Sequence, residues 1–375
     1  MPVRVLYVVL NIHQGGLERV IGDLLRGLDP ARFEIHVLAL EFLGDLSAGL
    51  NEFGTMAVAS PQSRWSMLWP DTLRDDIRRI QPDILHSHSG VWFKASRAAR
   101  MAGVPFVVHT DHGRQSPDPL MHRLLDGIAS RRTDVVVAVS RPLSAQLART
   151  VVHDPSRLRV IHNGVDTERF RHRHDDGHLR HELGLNLNAP IIGSIGRLDP
   201  IKGFDVMIDA FAILCSGWNG ATPHLVIAGD GPDRPRLEER IKALGMGDQV
   251  HLLGWRDDVS SLHRAFTIFT MSSRSEGTSI GLLEAMSARL CPVVTDVGGN
   301  RDVLGEALAH RLCASGDPVA LANAWRTAIL EPARRDHDAA RAAERVRAAY
   351  SVSTMVEAHE RLYEGARASL RGFSD

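Results

Sequence analysis

The chain has 375 residues, 44% of them hydrophobic and 24% charged, with a formal net charge of −1. At about 100–200 residues per domain, this length suggests two soluble globular domains. A balance this close to neutral gives no case for a nucleic-acid partner, although it leaves peripheral membrane contact through a local patch open.

Cysteine usage and hydropathy bound the compartment. Cys215, Cys291 and Cys313 are odd in number, far apart and set in apolar stretches, so they read as buried free thiols in a reducing environment. Met1 to Leu10 is too short and strand-like for a signal peptide, and no apolar run approaches the roughly 18 residues of a membrane span. The expectation is a cytoplasmic protein.

Val3 to Val9 is an apolar, valine-rich run broken only by Arg4, and it predicts a central parallel strand. The loop Asn11 to Gly16 follows, and Leu17 to Leu28 has helical spacing. Gly15 and Gly16 permit close backbone approach or positive φ, and a plain turn explains them equally well. Further strands fit at Phe33–Leu40, Thr55–Val58, Asp83–Ser87, Pro105–His109, Asp134–Val139 and Arg159–Ile161. Helices fit at Asp45–Phe53, Asp71–Ile80, Val91–Ala102, Pro119–Ser130 and Arg141–Thr150. This alternation predicts a doubly wound α/β domain, with ligands beyond the carboxyl ends of the strands.

Two of those strand ends are rich in histidine: His86-Ser87-His88-Ser89-Gly90 and His109-Thr110-Asp111-His112-Gly113. They read as the lining of a polar cleft, able to bond a hydroxyl or shuttle a proton. The competing reading is a metal site completed by Asp111. Arg64 to Pro70 (RWSMLWP) is a short buried segment or an apolar lip for an acceptor or a membrane surface. Arg171 to His181 (RHRHDDGHLRH) reads as a solvated interdomain linker.

The second half restarts the pattern. Strands are expected at Pro190–Ile195, His224–Ala228, Val250–Leu253, Ile268–Met271 and Cys291–Thr295, and helices at Gly203–Cys215, Pro232–Leu244 and Val259–Ala265. The remainder reads as helical, and Val352 to Arg371 is long enough to cross back to the first domain.

Ser272 to Met286 (SSRSEGTSIGLLEAM) carries the strongest chemical signal. It turns through small polar residues after a buried strand and opens a helix near Ser279. Gly277, Thr278, Ser279 and Gly281 leave backbone N–H groups uncovered at that helix start, a seat for phosphate. Glu276 and Glu284 flank it, and carboxylates bind hydroxyl pairs of ribose or sugar rather than anions. The combination reads as a nucleotide-sugar site; a capped helix with a solvated Glu284 is the alternative.

Five motifs now stand in order: Gly15-Gly16-x-Glu18, Asn163-Gly164-Val165-Asp166, Gly196-Arg197-Leu198 with Lys202-Gly203-Phe204, Gly229-Asp230-Gly231-Pro232, and Glu276 with Glu284 seven residues between them. Together they resemble the retaining GT-B glycosyltransferases of family GT4, the glycosyl transferases group 1, over nearly the whole chain. The resemblance implies two Rossmann-like doubly wound domains facing a central cleft: residues 1–167 for the acceptor, a polar linker 168–188, 189–351 for the donor, and 352–371 packing back. It implies that Arg197 and Lys202 neutralise the donor diphosphate, assisted by the N–H groups of 278–281 and of Gly15 and Gly16. Glu276 would then hold donor-sugar hydroxyls and Glu284 the ribose diol, with His109 near the transferred sugar. It implies a UDP-, GDP- or ADP-sugar donor, a glycan, lipid-linked or small-molecule acceptor, no resident cofactor and no catalytic metal. Retention would proceed by same-face attack with the leaving phosphate as base.

The chain departs from the family after Asn300, where RDVLGEALAHRLCASGD lacks the usual glycine-rich turn. His112 competes with His109 for the cleft position; His109 is preferred because it is expected to end its strand. A nucleotide-sugar epimerase or isomerase of the same fold, and a non-catalytic sugar-nucleotide-binding homologue, are the alternatives in other classes. The intact Arg197, Lys202, Glu276 and Glu284 disfavour the second of these, and the Gly196–Phe204 segment the first.

Overall fold

Runs of β-branched residues build the middle of a parallel sheet in each half of the chain. In the computed structural model, which describes residues 2–12, 16–63, 65–114, 119–171 and 174–371, there are two units. One comprises Met1–Gly164 with Val352–Asp375, the other Val165–Ser351.

The first unit alternates β1 (Val3–Val9), α1 (Gly16–Gly27), β2 (Phe33–Ala39), β3 (Thr55–Val58), α2 (Asp71–Ile80), β4 (Ile84–His88), α3 (Trp92–Ala102), β5 (Phe106–Asp111), α4 (Leu120–Ser130), β6 (Val135–Ala138), α5 (Arg141–Thr150) and β7 (Leu158–Val160). The strands lie in the order β3-β2-β1-β4-β5-β6-β7, and the order reverses between β1 and β4. All the pairings are parallel. β1 is covered on both faces, which is why its sequence does not alternate: only Arg4 is partly exposed. Asp45–Leu50 is a 3-10 turn rather than the expected helix to Phe53.

The second unit contains α6 (His178–Glu182), β8 (Ile191–Ile195), α7 (Phe204–Cys215), β9 (His224–Ala228), α8 (Arg234–Ala243), β10 (Val250–Leu252), α9 (Val259–Ala265), β11 (Ile268–Met271), α10 (Ile280–Ser287), β12 (Cys291–Thr295), α11 (Asn300–Leu304), β13 (Leu312–Cys313), α12 (Pro318–Leu330) and α13 (Pro332–Ala349). Its parallel sheet runs β10-β9-β8-β11-β12-β13, reversing between β8 and β11. Trp325 of α12 is buried against this sheet and donates its indole N–H to Thr270 Oγ1 at 2.9 Å. The segment after Asn300, left open by its missing glycine turn, forms α11, a 3-10 turn and the two-residue edge strand β13.

The described residues of 168–188 belong to the second unit rather than linking the two. Phe170 and Leu179 are buried in the second unit's core, and Arg180 donates to the Ala189 carbonyl at 2.8 Å. The unit begins at Val165, whose N–H donates to the Tyr350 carbonyl at 2.9 Å. Polar neighbours hide two apolar anchors there, and anchors spaced this widely give no periodic signal.

The last helix, α14 (Val352–Arg371), belongs to the first unit. Tyr363 is fully buried, with its hydroxyl 2.7 Å from the hydroxyl of Tyr7 on β1. Arg32 donates to Glu360 at 2.7 Å. Among the described residues no helix is long and apolar enough to cross a membrane.

Candidate active site

In each sheet the reversal of strand order opens a crevice at the carboxyl ends, where doubly wound folds hold their ligands. In the second unit this point lies after β8 and β11. Two loops stack there backbone to backbone. The N–H of Leu198 donates to Asp230 O and that of Asp233 to Leu198 O, each at 3.0 Å. A Cβ on Gly229 would stand 1.9 Å from the Gly196 carbonyl, so only glycine allows this approach. The packing leaves Arg197 exposed, without an ion pair among the described residues.

Lys202 ends the short 3-10 turn Pro200–Lys202, which Asp199 caps by accepting from the Ile201 N–H. That turn is pinned to the loop after β11: Ser272 Oγ donates to Lys202 O at 3.0 Å, and the Arg274 N–H donates to Ile201 O at 2.7 Å. The pinning brings Lys202 Nζ to 2.7 Å from Glu276 Oε1. Ser273 Oγ donates to the same oxygen at 2.6 Å. Two residues 74 positions apart thus meet in one charged, partly buried pair.

The Glu276 backbone is fixed from behind. Gly298, with φ +52°, packs so closely that a Cβ would lie 1.8 Å from the Glu276 carbonyl. The Gly299 N–H donates to Gly277 O at 2.9 Å. Thr278 is buried, and Ser279 caps α10 by accepting from the Leu282 N–H. Gly277 to Ser279 therefore bring a helix N-terminus beside the Lys202–Glu276 pair. Ser273, Gly298 and Gly299 were not read from the sequence as site residues; the adjacent glycines after a buried strand were the available signal.

Glu284 is buried one turn into α10, with His263 Nε2 3.9 Å from its carboxylate. It does not lie on a solvated face. Gly16 opens α1 in the first unit; Gly15 lies outside the described residues.

The first unit holds a cavity of about 710 Å³ at the ends of β4 and β5. His109 is on its wall, and the cavity's other sides include Met67, Lys94, Asp111 and Arg114. The strand runs on to Asp111, so His109 does not end it as expected. It reaches the cavity because its ring stacks flat on Trp92, 4.1 Å between centroids at 5°. Its Nδ1 is 2.9 Å from Ser87 Oγ. Burial, then the nearby Arg114 charge, holds its pKa well below the ordinary imidazole value, so it is a neutral ring. Arg114 itself is engaged by Asp111 at 2.6 Å and Asp126 at 2.7 Å.

His86, His88 and His112 do not line this cavity. His86 is fully buried, with Nδ1 2.7 Å from Tyr363 Oη and Nε2 2.7 Å from Thr110 Oγ1. His88 Nδ1 is 2.9 Å from His112 Nε2. These rings bond to each other and to α14, and so form part of the core. Among the described residues no group of three or more His, Cys, Asp or Glu is arranged to hold a metal ion. Cys215, Cys291 and Cys313 are free thiols.

Two family models match this chain. Residues 14–169 match the model described as Glycosyltransferase Family 4, and residues 175–346 match Glycosyl transferases group 1. The chain belongs to the GT4-type glycosyltransferases. Among its relatives of this type, the UDP-Gal:alpha-D-GlcNAc-diphosphoundecaprenol alpha-1,3-galactosyltransferase of Escherichia coli is 31% identical over 60% of each chain. The match thus spans three-fifths of that relative's length. The alpha-D-kanosaminyltransferase of Streptomyces kanamyceticus is 27% identical over 80% of this chain and 82% of the relative. In structure, this GT4-type chain is similar to Anabaena HepE, solved in complex with UDP. The TM-score is 0.83 at 21% identity, covering 96% of this chain and 100% of HepE. WaaG, a glycosyltransferase involved in lipopolysaccharide biosynthesis, gives a TM-score of 0.74 at 17% identity over 94% and 98%. At these identities the likeness is one of fold, the GT-B fold expected from the motifs.

Proposed function

We propose that the protein is a retaining, metal-independent glycosyltransferase that moves a sugar from a nucleotide-sugar to a glycan or lipid-linked acceptor in bacterial surface-glycan synthesis. The observation that carries this reading is the Lys202–Glu276 pair beside the N-terminus of α10. Arg197 and Lys202 supply two cations, and the N-terminus of α10 its partial positive charge, for a leaving nucleoside diphosphate. The bond from the anomeric carbon to the diphosphate oxygen breaks toward these charges. The acceptor hydroxyl forms the new bond from the same face and gives its proton to a phosphate oxygen. No protein nucleophile is required, so the two-carboxylate glycosidase scheme does not apply.

Glu276 is then a positioning residue for sugar hydroxyls, itself aimed by Ser273 and the backbone packing of Gly298. Glu284 is assigned to the ribose diol. In the first unit, the cavity is assigned to the acceptor, and neutral His109 offers its ring to a sugar hydroxyl. A uridine nucleotide is the donor we favour, because HepE was solved with UDP and, separately, with UDP-glucose.

The test is a thermal-shift and donor-hydrolysis screen across UDP-, GDP- and ADP-sugars. Stabilisation by one of them, with slow hydrolysis, is expected. An inverted anomeric configuration in the transfer product would exclude retention. Loss of transfer in EDTA with rescue by one divalent metal would exclude metal independence.

A further inference from the structure

His263 is out of place in the second unit's core. It lies on α9 with its side chain wholly buried. Three phenylalanine rings meet it edge to face: Phe170 at 5.9 Å and 72°, Phe266 at 6.0 Å and 89°, and Phe269 at 5.7 Å and 63°. Neither of its ring nitrogens has a hydrogen-bond partner among the described residues. His88, Asn300 and Arg311 also leave a buried atom unpaired, but each bonds through another. A buried imidazole without a partner costs free energy that an apolar side chain of similar size in the same sleeve would not. Native cores hold few such groups, and each calls for a reason.

The reason stands beside it. His263 Nε2 is 3.9 Å from Glu284 Oε2, in a pair whose side chains are 0% and 3% exposed. That separation is about 1 Å longer than an N–H···O bond, a gap small enough for side-chain rotation to close. The carboxylate has capacity for the bond. It accepts at about four lone-pair sites over its two oxygens, and a diol that donates to both oxygens fills two of them.

We propose that His263 is a positioning residue for the ribose contact. In the tautomer with hydrogen on Nε2, it donates to the Glu284 carboxylate once a nucleotide is bound. It thereby fixes the rotamer in which both oxygens meet the 2′- and 3′-hydroxyls. The preference for ribose over 2′-deoxyribose is then set by His263 as well as by Glu284. This role rests on the assignment of Glu284 to the ribose diol. A two-point contact gains most from such holding, because both oxygens must be in place at once and a carboxylate free to rotate loses one of them. The same bond gives the orphaned nitrogen its partner, so the penalty of burying it in the free chain is relieved in the complex.

The experiment is titration calorimetry of the intact chain with UDP and 2′-deoxy-UDP, with the guanosine and adenosine pairs run alongside. Wild type is expected to bind the ribonucleotide of one pair more tightly than its deoxy form. His263→Phe should weaken that ribonucleotide about tenfold and leave the deoxy form unchanged, so that the preference collapses. His263→Gln, whose amide N–H can stand in for Nε2–H, should keep most of the preference. The thermal midpoint of His263→Phe should not fall, since its sleeve is apolar; if that variant does not fold, His263→Leu takes its place. Equal weakening of both nucleotides, weakening of neither, or loss of the preference in His263→Gln as well as His263→Phe overturns the proposal. Glu284→Gln tells its failure from that of the donor-site reading. If Glu284→Gln abolishes the preference and His263→Phe does not, His263 is a core residue only. If neither does, or if wild type shows no preference or binds no nucleoside diphosphate, the ribose assignment of Glu284 falls and the role of His263 falls with it.

Discussion

At the residue scale, the second unit's site is a problem in placing charge. Lys202 and Glu276 were each visible in the sequence, but their 2.7 Å pairing was not. It depends on Ser272, Ser273 and Arg274 pinning one loop to another, and no pattern within either loop encodes that. Without a ligand, each charge partly neutralises the other; a diphosphate would compete for Lys202 and a sugar for Glu276. Lys202→Ala and Glu276→Ala are each expected to cost at least about 2–3 kcal/mol of transition-state stabilisation, read as single-turnover transfer rates. Transfer at the wild-type rate in both would remove the basis for the assigned roles. Gly298→Ala tests the backbone behind Glu276. Its Cβ has 1.8 Å where it needs more than 3 Å, and its φ of +52° disfavours any side chain. A loss of about 1–3 kcal/mol in thermal unfolding is expected, with a weakened thermal shift on adding nucleoside diphosphate. Gly365→Ala is the control. It sits exposed in α14 with nothing within 4 Å of its Cβ, so it should gain about 0.5–1 kcal/mol of stability.

At the scale of elements, the strands were the legible part. Short apolar runs such as Ile268–Met271 and Val3–Val9, rich in β-branched and aromatic residues, favour buried strands over helices by their length. The histidines were the illegible part, because an imidazole suits a polar cleft or a satisfied core equally well. Here the core wins. His86 and His88 on β4 stack 4.5 Å apart. They are faced by Tyr7 on β1, Thr110, His109 and His112 from β5 and its loop, and His359 and Tyr363 on α14. The charges that bear on His86 and His88 are those of other imidazoles, His109, His112 and His359 among them. Burial therefore holds His86 and His88 well below the ordinary 6.5, His112 at about 3 and His359 at about 4. The folded state refuses protons that the unfolded chain accepts below pH 6.5. Stability is thus full above that pH and falls as pH drops from 6.5 toward 4, by up to about 1.4 kcal/mol per pH unit for each ring. The thermal midpoint should decline steeply between pH 6.5 and about 5, and less steeply in His112→Gln. A midpoint that is flat over this range would show that the cluster does not couple to folding.

At the scale of the whole molecule, two α/β halves were legible from the repeated alternation, but the seam between them was not. The sequence shows polar residues at 171–181 and suggests a linker, yet the chain changes unit at Gly164, before that run begins. The polar run conceals Phe170 and Leu179, which are buried in the second unit. The chain's last helix has its own consequence. α14 supplies the first unit with Met355, Val356, Tyr363 and Ala366, all buried. A chain ending at Ser351 would expose the surface these cover and leave Tyr7 and His86 without the Tyr363 hydroxyl. Each orphaned group costs about 1–3 kcal/mol, and large buried side chains cost a similar amount each. Set against a typical domain stability of about 5–15 kcal/mol, the sum is enough to unfold the first unit. The second unit loses nothing from its own core, and its Val165–Tyr350 tie lies wholly before the cut. Calorimetry of the truncated chain should therefore keep the second unit's transition and lose the first's, with UDP still stabilising what remains if the donor site is where it is assigned. Retention of both transitions would show that α14 is dispensable, and loss of both would show that the second unit does not fold without the first.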